Sequence, residues 1–163
     1  MGNNKKNQIC CLLIRPTSQI RSRQWWLKRI NTLRLLAYKH LPKGFKNVIK
    51  NSTFSILLTK NKEIQIFNNK YRKKNKPTDI LSFYLNKNEQ KKYKYLGDII
   101  ISTEYVLKHL RGKKPKDEIN NELEKLLVHG YLHLLGYDHK KLKEERKMFS
   151  IQNKLTCEIK KRI

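Results

Sequence analysis

The chain contains 163 residues, a length that suits one domain with its own hydrophobic core. Its 38 Lys and Arg residues outnumber its 13 Asp and Glu residues and give a formal net charge of +25. Such a charge attracts polyanions, so RNA, DNA and anionic membrane surfaces are all eligible partners. An AT-rich genome also enriches Lys, Asn and Ile throughout a chain, and much of the charge would then be a solvated surface.

The cysteines argue against a secreted, disulfide-stapled protein. There are three of them, an odd number, and Cys10 is adjacent to Cys11. The early apolar run Ile9–Ile14 is far shorter than the roughly 20 residues of a membrane helix and has no small-residue cleavage site. We therefore expect a cytoplasmic protein with no membrane partner.

The first third of the chain predicts strand, helix and strand. Ile9–Ile14 is typical of a first strand, and Thr53–Thr59 of a second. Between them, residues 23 to 41 have the apolar spacing of an amphipathic helix, and Pro42 and Gly44 bring it to an end. The apolar positions of this helix are Trp26, Ile30, Leu33, Leu36 and Ala37.

A short helix is expected next. Ile64, Phe67 and Tyr71 have helical spacing and follow Asn61, a residue suited to cap the helix. The helix leads into a basic loop, Arg72–Pro77.

The middle of the chain predicts two further strands and a helix start. The strands are Asp79–Leu85 and Leu96–Ile101, and the polar, Lys-rich stretch 86 to 94 between them is expected to be a mobile connection. Ser102 is expected to cap the helix that follows.

The remaining chain predicts two helices. Pro115, Asp117 and Glu118 are typical of a helix start, and an apolar stripe follows at Ile119, Leu123, Leu127 and Leu134. The last segment, 140 to 162, predicts a charged helix that docks through Leu142, Met148, Phe149 and Leu155.

These elements predict an α+β fold. We expect one domain over residues 1 to 163, with a small mixed four-stranded sheet packed against helices. Residues 1 to 8 and the last few residues are expected to be disordered.

Three histidines carry the strongest chemical signal. His129 and His133 are four residues apart, so on a helix both imidazoles project from one face. Gly136 can adopt the left-handed conformation that ends a helix and returns His139 to the same place. Three neutral imidazoles leave one tetrahedral position open for water, the arrangement of a catalytic zinc. We therefore predict one zinc ion per chain at the end of a helix, with the alternative that the histidines are close only by chance.

The spacing is also that of the metzincin protease signature, H-E-x-x-H-x-x-G-x-x-H. Gly130 stands where such a protease keeps its general-base glutamate. Phosphodiester cleavage depends more on charge stabilisation by a metal and by arginine, so the pattern favours a nuclease over a protease.

Four segments together resemble the bacterial YbeY family: Tyr71-Arg72, Lys76 to Phe83, Leu96 to Ile99, and the run HGYLHLLGYDH from His129. The resemblance extends over roughly residues 50 to 145, and Tyr84 stands where a proline is usual. It implies a zinc-dependent, single-strand-specific endoribonuclease that matures ribosomal RNA, notably the 3′ end of the small-subunit RNA, and contributes to ribosome quality control. The implied partners are ribosomal RNA, the small ribosomal subunit and assembly factors, with no DNA.

The resemblance also places the family's important arginine at Arg72, in a cleft facing the metal. A guanidinium can hold two phosphate oxygens and stabilise the transition-state charge, so we predict that Arg72 is catalytic together with His129. Lys74 and Lys76 could add phosphate contacts. Composition alone favours a solvated basic turn for this loop.

Other polar residues are open to two interpretations. Thr78, Asp79 and Ser82 suit turn and strand structure. Asp98 could orient a histidine ligand or make a hydrogen bond at a strand end. Asp138 could hold a water or the substrate, or cap the turn.

Tyr131 and Tyr137 could stack on RNA bases, although aromatic residues at helical spacing usually pack the core.

Two further functions compete with the nuclease. A non-enzymatic ribosome-assembly factor with a structural zinc would have the same basic surface. A metalloprotease would have the same histidine spacing, but Gly130 argues against it.

Overall fold

Four strands form one mixed β-sheet in the computed structural model, which describes residues 11–14, 20–110 and 115–162. Its order is β1-β2-β4-β3: β1 and β4 run parallel to β2, whereas β3 lies at an edge, antiparallel to β4. Residues 9 and 10 of the predicted first strand lie outside the described residues. The strands are β1 (Cys11–Ile14), β2 (Thr53–Thr59), β3 (Ile80–Tyr84) and β4 (Tyr95–Ser102).

Seven helices accompany the sheet in the described part of the chain, and the predicted α+β class is confirmed. They are α1 (Arg23–His40), α2 (Lys43–Asn51), α3 (Asn61–Arg72), α4 (Lys87–Tyr93), α5 (Thr103–His109), α6 (Lys116–Leu134) and α7 (Leu142–Lys161).

The alternation of side chains along the strands divides the apolar core into two parts. On β2, Phe54, Ile56 and Leu58 belong to the larger part, together with residues of α1, α6 and α7. The opposite face is covered by α3, whose Ile64 packs with Leu81 and Ile100. The sheet therefore separates the histidine-bearing helix α6 from α3.

Several predicted features are confirmed. The second strand spans Thr53–Thr59, and the Ser102 hydroxyl accepts a hydrogen bond from the Tyr105 backbone as the cap of α5. The apolar stripe of α6 is buried at Ile119, Leu123, Leu127 and Leu134.

The stretch 86 to 94 is not a mobile connection, because α4 occupies most of it. The Asn86 side chain accepts hydrogen bonds from the backbone of Asn88 and Glu89, and the Glu89 carboxylate accepts one from the Asn86 backbone. This reciprocal capping box stabilises a short helix that lacks an apolar stripe. Gln90 anchors the helix, since its side-chain amide donates to the Leu134 carbonyl at 2.8 Å.

Two helix boundaries differ from the predictions. Pro42 does not only end α1, because it is also the N-cap of α2, which the sequence reading did not include. The N-cap of α3 is Lys60 and not Asn61. The Asn61 side chain instead accepts a hydrogen bond from the Ser102 hydroxyl at 2.7 Å, and so joins the start of α3 to the end of β4.

Disorder of the last few residues stays a prediction, and the C-terminal helix continues to Lys161. The reason is packing, because Met148, Leu155 and Ile159 are buried in the larger core. Leu142 was expected to dock with them but is 64% exposed. Residues 1 to 8, also expected to be disordered, lie outside the described residues.

Among the described helices, none is both long enough and apolar enough to cross a membrane.

A buried ion pair links α1, α6 and α7. The Arg29 Nε and Glu124 Oε2 atoms lie 3.1 Å apart, and the Arg29 guanidinium also donates to the Ile159 carbonyl at 3.1 Å. Burial raises the pKa of Glu124, while Arg29 acts in the opposite direction. The pair therefore belongs to the frame that holds α7 against α6.

We expect Arg29→Ala to lower the free energy of unfolding by about 3–5 kcal/mol, because it leaves the Glu124 carboxylate buried without its cationic partner. Urea denaturation followed by circular dichroism measures this change. Lys125→Ala is the control, since it removes the exposed ion pair with Glu122 and should cost about 1 kcal/mol or less. Equal losses for the two variants would contradict the prediction.

Candidate metal centre

The end of α6 determines where the histidines point. His129 and His133 project from one face of the helix, with ring centroids 4.6 Å apart. After Leu135 the chain reverses at Gly136, whose φ is 88°. The Gly136 backbone donates to the His133 carbonyl and the Tyr137 backbone to the Leu132 carbonyl, which is the pattern of a Schellman motif. The predicted left-handed glycine is therefore confirmed.

The reversal brings His139 to the first two histidines. One ring nitrogen of each histidine lies within 4.8 Å of those of the other two, so the three side chains could hold one metal ion. His129 and His133 are half-buried, whereas His139 is exposed. Asp138 fixes the turn, because one carboxylate oxygen accepts from the His139 backbone and the other contacts Lys140 at 3.0 Å. These contacts lower the pKa of Asp138.

Two acceptors orient the imidazoles. The Nδ1 atom of His129 lies 2.9 Å from Oε1 of Gln152 on α7, and the Nδ1 atom of His133 lies 2.9 Å from the Tyr137 carbonyl oxygen. An oxygen acceptor requires a proton on each Nδ1, which leaves each Nε2 with a free lone pair. The two Nε2 atoms lie 3.0 Å apart.

Two lone pairs at this distance repel each other unless a cation lies between them. A proton is a poor candidate, since burial lowers the pKa of both rings and brings that of His133 to about 4, with the neighbouring His129 adding to the shift. A zinc ion bonded to nitrogens at about 2.0–2.1 Å in tetrahedral geometry requires nitrogen atoms about 3.4 Å apart. The donor set therefore fits a metal ion.

Gly130 lies where α6 approaches the sheet most closely. A Cβ atom at this position would lie 2.9 Å from Cδ1 of Ile80, 3.0 Å from Cγ2 of Ile99 and 3.1 Å from Oγ of Ser82. The glycine thus allows the histidine helix to rest directly on β3 and β4. A larger side chain here, such as the glutamate that a metzincin carries at this place, would require Ile80, Ile99 and Ser82 to shift.

Two residues of α7 belong to the site although the sequence pattern did not predict them there. Gln152 orients His129, and the ring of Phe149 lies 6.3 Å from that of His129 and 6.2 Å from that of His139. Phe149 was expected only to dock, yet it is 38% exposed. Their spacing of three residues is a weak signal for one helix face, and nothing in the sequence links that face to the histidines.

The predicted catalytic arginine makes no hydrogen bond or ion pair with this cluster in the described part of the chain. Arg72 is the last residue of α3, it is exposed, and it makes no hydrogen bond or ion pair within the described residues. Lys74 and Lys76 are exposed in the loop that follows. Asp79 lies at the end of this loop, and its negative charge opposes the burial that lowers the pKa of His129. Its carboxylate also accepts from the Ile80 backbone at 2.8 Å.

Two of the ambiguous residues have structural roles. Asp98 does not orient a histidine, because its Oδ1 accepts from the Tyr95 hydroxyl at 2.6 Å and its side chain lies on the α3 face of the sheet. Tyr131 is fully buried against Phe54 and is not available to stack on RNA. The half-buried Tyr137 stacks on Phe45 with ring centroids 5.3 Å apart.

A family model described as "Endoribonuclease YbeY" matches residues 20–160 of this chain. The chain belongs to the endoribonuclease YbeY family. Among its relatives, the Endoribonuclease YbeY of Pelagibacter ubique is 43% identical over 75% of this chain and 79% of its own length. That of a Sulfurihydrogenibium species is 44% identical over 68% of this chain and 75% of its own length.

One solved structure has a similar fold. The solution structure of a Thermotoga maritima protein matches with a TM-score of 0.56 and 25% identity, over 93% of this chain and 88% of that one. Membership in the YbeY family confirms the predicted resemblance, and with it the expectation of an enzyme of the metal-dependent hydrolase class.

We expect Gln152→Ala to weaken zinc binding by about 10–100-fold, because His129 loses the acceptor that holds its ring and its tautomer. Competition with a chromophoric chelator measures this affinity without any assay of catalysis. Gln152→Glu retains an acceptor oxygen and should bind zinc at least as well as Gln152→Ala does. Asn153→Ala changes the exposed neighbour and serves as the control. An unchanged affinity in Gln152→Ala would show that the hydrogen bond does not position the ligand.

We expect Gly130→Ala to destabilise the fold, because overpacking costs about 1–3 kcal/mol and alanine's better helix propensity returns at most about 1 kcal/mol. Gly44→Ala is the matched control, since Gly44 also lies in a helix but a Cβ there would have nothing within 4 Å. The midpoint temperature of thermal unfolding should therefore be lower in Gly130→Ala and unchanged or higher in Gly44→Ala. A stabilised Gly130→Ala protein would contradict the close approach.

Proposed function

We propose that this protein is a zinc-dependent, single-strand-specific endoribonuclease that acts in ribosomal RNA processing. The single observation that carries the proposal is the convergence of the His129 and His133 Nε2 lone pairs, 3.0 Å apart, in a chain with a net charge of +25. The first feature calls for a cation, and the second attracts a polyanion. The names of the YbeY relatives support the reaction class.

The proposed ligands are His129, His133 and His139, with Gln152 and the Tyr137 carbonyl fixing the first two. When bound, zinc supplies a Lewis acid that stabilises negative charge on a phosphodiester and makes hydroxide accessible near neutral pH. Arg72 is the proposed phosphate clamp, because its exposed guanidinium is free to hold two phosphate oxygens as charge develops on them. Phe149, exposed beside two of the histidines, offers a ring on which a base next to the scissile phosphate can stack.

Neither carboxylate near the histidines favours the metalloprotease alternative. Asp79 accepts a hydrogen bond from the backbone of Ile80, at the start of β3. Asp138 is held by the His139 backbone and Lys140, so both carboxylates already have structural partners. The close packing at Gly130 disfavours a carboxylate at that position of α6. A nuclease needs no such base where a metal and cations stabilise the phosphate.

The proposal also includes the RNA substrate, the partners and the location in the cell. We place the substrate among ribosomal RNAs, notably the 3′ end of the small-subunit RNA, with the small subunit and its assembly factors as partners and ribosome quality control as a further role. The cytoplasm is the expected location. A non-enzymatic RNA-binding factor with the same zinc is the alternative, and turnover distinguishes the two.

We expect His129→Ala to lose both zinc and RNA cleavage, whereas Arg72→Ala should keep its zinc and lose about 10²–10³-fold in cleavage rate. Metal content by mass spectrometry and cleavage of a labelled single-stranded RNA give the two readouts. Lys91→Ala is the control, because it removes an exposed cation from α4, outside this loop, and should change the rate only slightly. Removal of zinc by a chelator, followed by its return, should abolish and restore cleavage.

Two outcomes would contradict this function. Unchanged cleavage in His129→Ala would exclude the histidine centre as the active site. A wild-type protein with full zinc and no turnover on RNA would favour the non-enzymatic alternative.

A further inference from the structure

A cavity lies on the other face of the sheet from the histidine helix, between β2, β4, β3 and the C-terminal half of α3. We call it the α3 cavity, and its volume is about 440 Å³. This volume is in the range of small-ligand sites, which is about 300–1,000 Å³. Its floor and walls include Leu57, Phe67, Tyr71, Phe83, Asp98 and Ile100.

The lining combines flat aromatic surface with one carboxylate. Phe67, Tyr71 and Phe83 contribute rings, and the centroids of Tyr71 and Phe83 lie 4.9 Å apart. Asp98 is held in place because its Oδ1 accepts from the Tyr95 hydroxyl at 2.6 Å, and that hydroxyl is 2.7 Å from the Ser55 hydroxyl. Such a lining is complementary to a flat ring that carries N–H donors on its edge.

The cavity is adjacent to the proposed phosphate clamp. Tyr71, in the cavity wall, immediately precedes Arg72, and the Lys70 ammonium lies 5.2 Å from the centre of the Tyr71 ring. Lys70 therefore places a cation beside the Tyr71 ring, while the lining of the cavity is mostly apolar and aromatic around the Asp98 carboxylate. This distribution suits a ligand with an anionic end and a flat, apolar body.

The cavity and the histidine helix lie on opposite faces of the edge strand. Neighbouring residues of β3 point to opposite faces, so Phe83 lines the cavity while Ser82 faces Gly130 of the histidine helix. Only the thickness of this strand separates the cavity from the histidine helix at Gly130. A single strand of RNA that passes around the edge can place one base in the cavity and a neighbouring phosphate at Arg72.

We propose that the α3 cavity binds one base of the single-stranded RNA and selects bases with an exocyclic amino group over uracil. The inference rests on the proposed function, because it names a specificity site for the same substrate. The aromatic rings stack on the base, and the Asp98 carboxylate accepts a hydrogen bond from the amino group of cytosine, adenine or guanine. Uracil carries carbonyl oxygens on both sides of its ring N–H, and these repel the carboxylate.

Nucleoside monophosphates test the cavity without catalysis, because they contain no internal phosphodiester to cleave. Cytidine and uridine monophosphate are titrated into the wild-type protein, and the methyl resonances of Leu57 and Ile100 are followed by NMR. We expect CMP to shift these signals and to bind about tenfold more tightly than UMP, since the CMP amino group donates to the charged acceptor, whereas the ring N–H of UMP lies between two carbonyl oxygens that repel it. Equal affinities for CMP and UMP would overturn the proposal. Unchanged methyl resonances of Leu57 and Ile100 would also overturn it, and this is the result expected if the cavity binds a protein partner instead.

Two variants separate the carboxylate from the aromatic wall. Asp98→Asn should remove the preference for CMP, and its amide oxygen can still accept from Tyr95. Tyr71→Ala should weaken CMP and UMP alike, and it is the variant that retains the floor of the cavity. A preserved CMP preference in Asp98→Asn would overturn the assignment of the carboxylate.

Tyr93→Ala is the matched control. Tyr93 is 60% exposed against 55% for Tyr71, and the Lys92 ammonium lies 5.1 Å from the centre of its ring, but it does not line the cavity. It should bind both nucleotides as the wild-type protein does. An equal loss in Tyr93→Ala and Tyr71→Ala would mean that the nucleotides bind an unspecific basic surface, and the proposal would fail.

The two proposals fail separately. If the protein cleaves RNA but binds CMP and UMP equally, the proposed base site in the α3 cavity is wrong and the proposed endoribonuclease activity remains. CMP binding at Leu57 and Ile100 without RNA cleavage would overturn the proposed activity and leave a base-binding cavity.

Discussion

Two lone pairs that face each other across 3.0 Å are the constraint around which this molecule is organised. The arrangement persists because each imidazole is held from behind, one by the Gln152 side chain and one by the Tyr137 carbonyl. Each support requires a different part of the fold: α7 must lie along α6, and the chain must reverse after Leu135. The buried pair of Arg29 and Glu124, which links α1 and α6 beside the end of α7, contributes to the first requirement. The glycine-dependent end of α6 meets the second.

The elements with a strong apolar period could be predicted from the sequence. The stripe of α6, the alternation in β2 and the glycine turn before His139 are local patterns, and the structure contains each of them. Helix α4 could have been found through its Asn86 and Glu89 capping pair, but its polar composition concealed it. Helix α2 was missed because Pro42 was interpreted as a stop, although proline also begins helices.

The residues of the candidate site also divide into those that a local sequence pattern predicts and those that it does not. The three histidines lie within eleven residues, so their spacing on a helix and a turn was sufficient to bring them together. Gln152 and Phe149 come from another helix, and their approach depends on how α7 packs, which no local pattern encodes. Asp98 was placed on the right strand but its face could not be decided, because the positive φ of 137° at Gly97 disturbs the alternation of β4. Gly130 was interpreted only as a missing base, whereas its neighbours reveal a packing role.

The support of His133 has a consequence for how the protein tolerates change. Its acceptor is a main-chain oxygen, which every amino acid carries, so substitution at position 137 leaves this half of the support in place provided that the turn is kept. The support of His129 is a side chain and has no such protection. A chain rich in Lys, Asn and Ile can therefore drift across most of its surface without disturbing the site. Position 152 is one point outside the histidine motif at which a single codon change removes a hydrogen bond to a histidine.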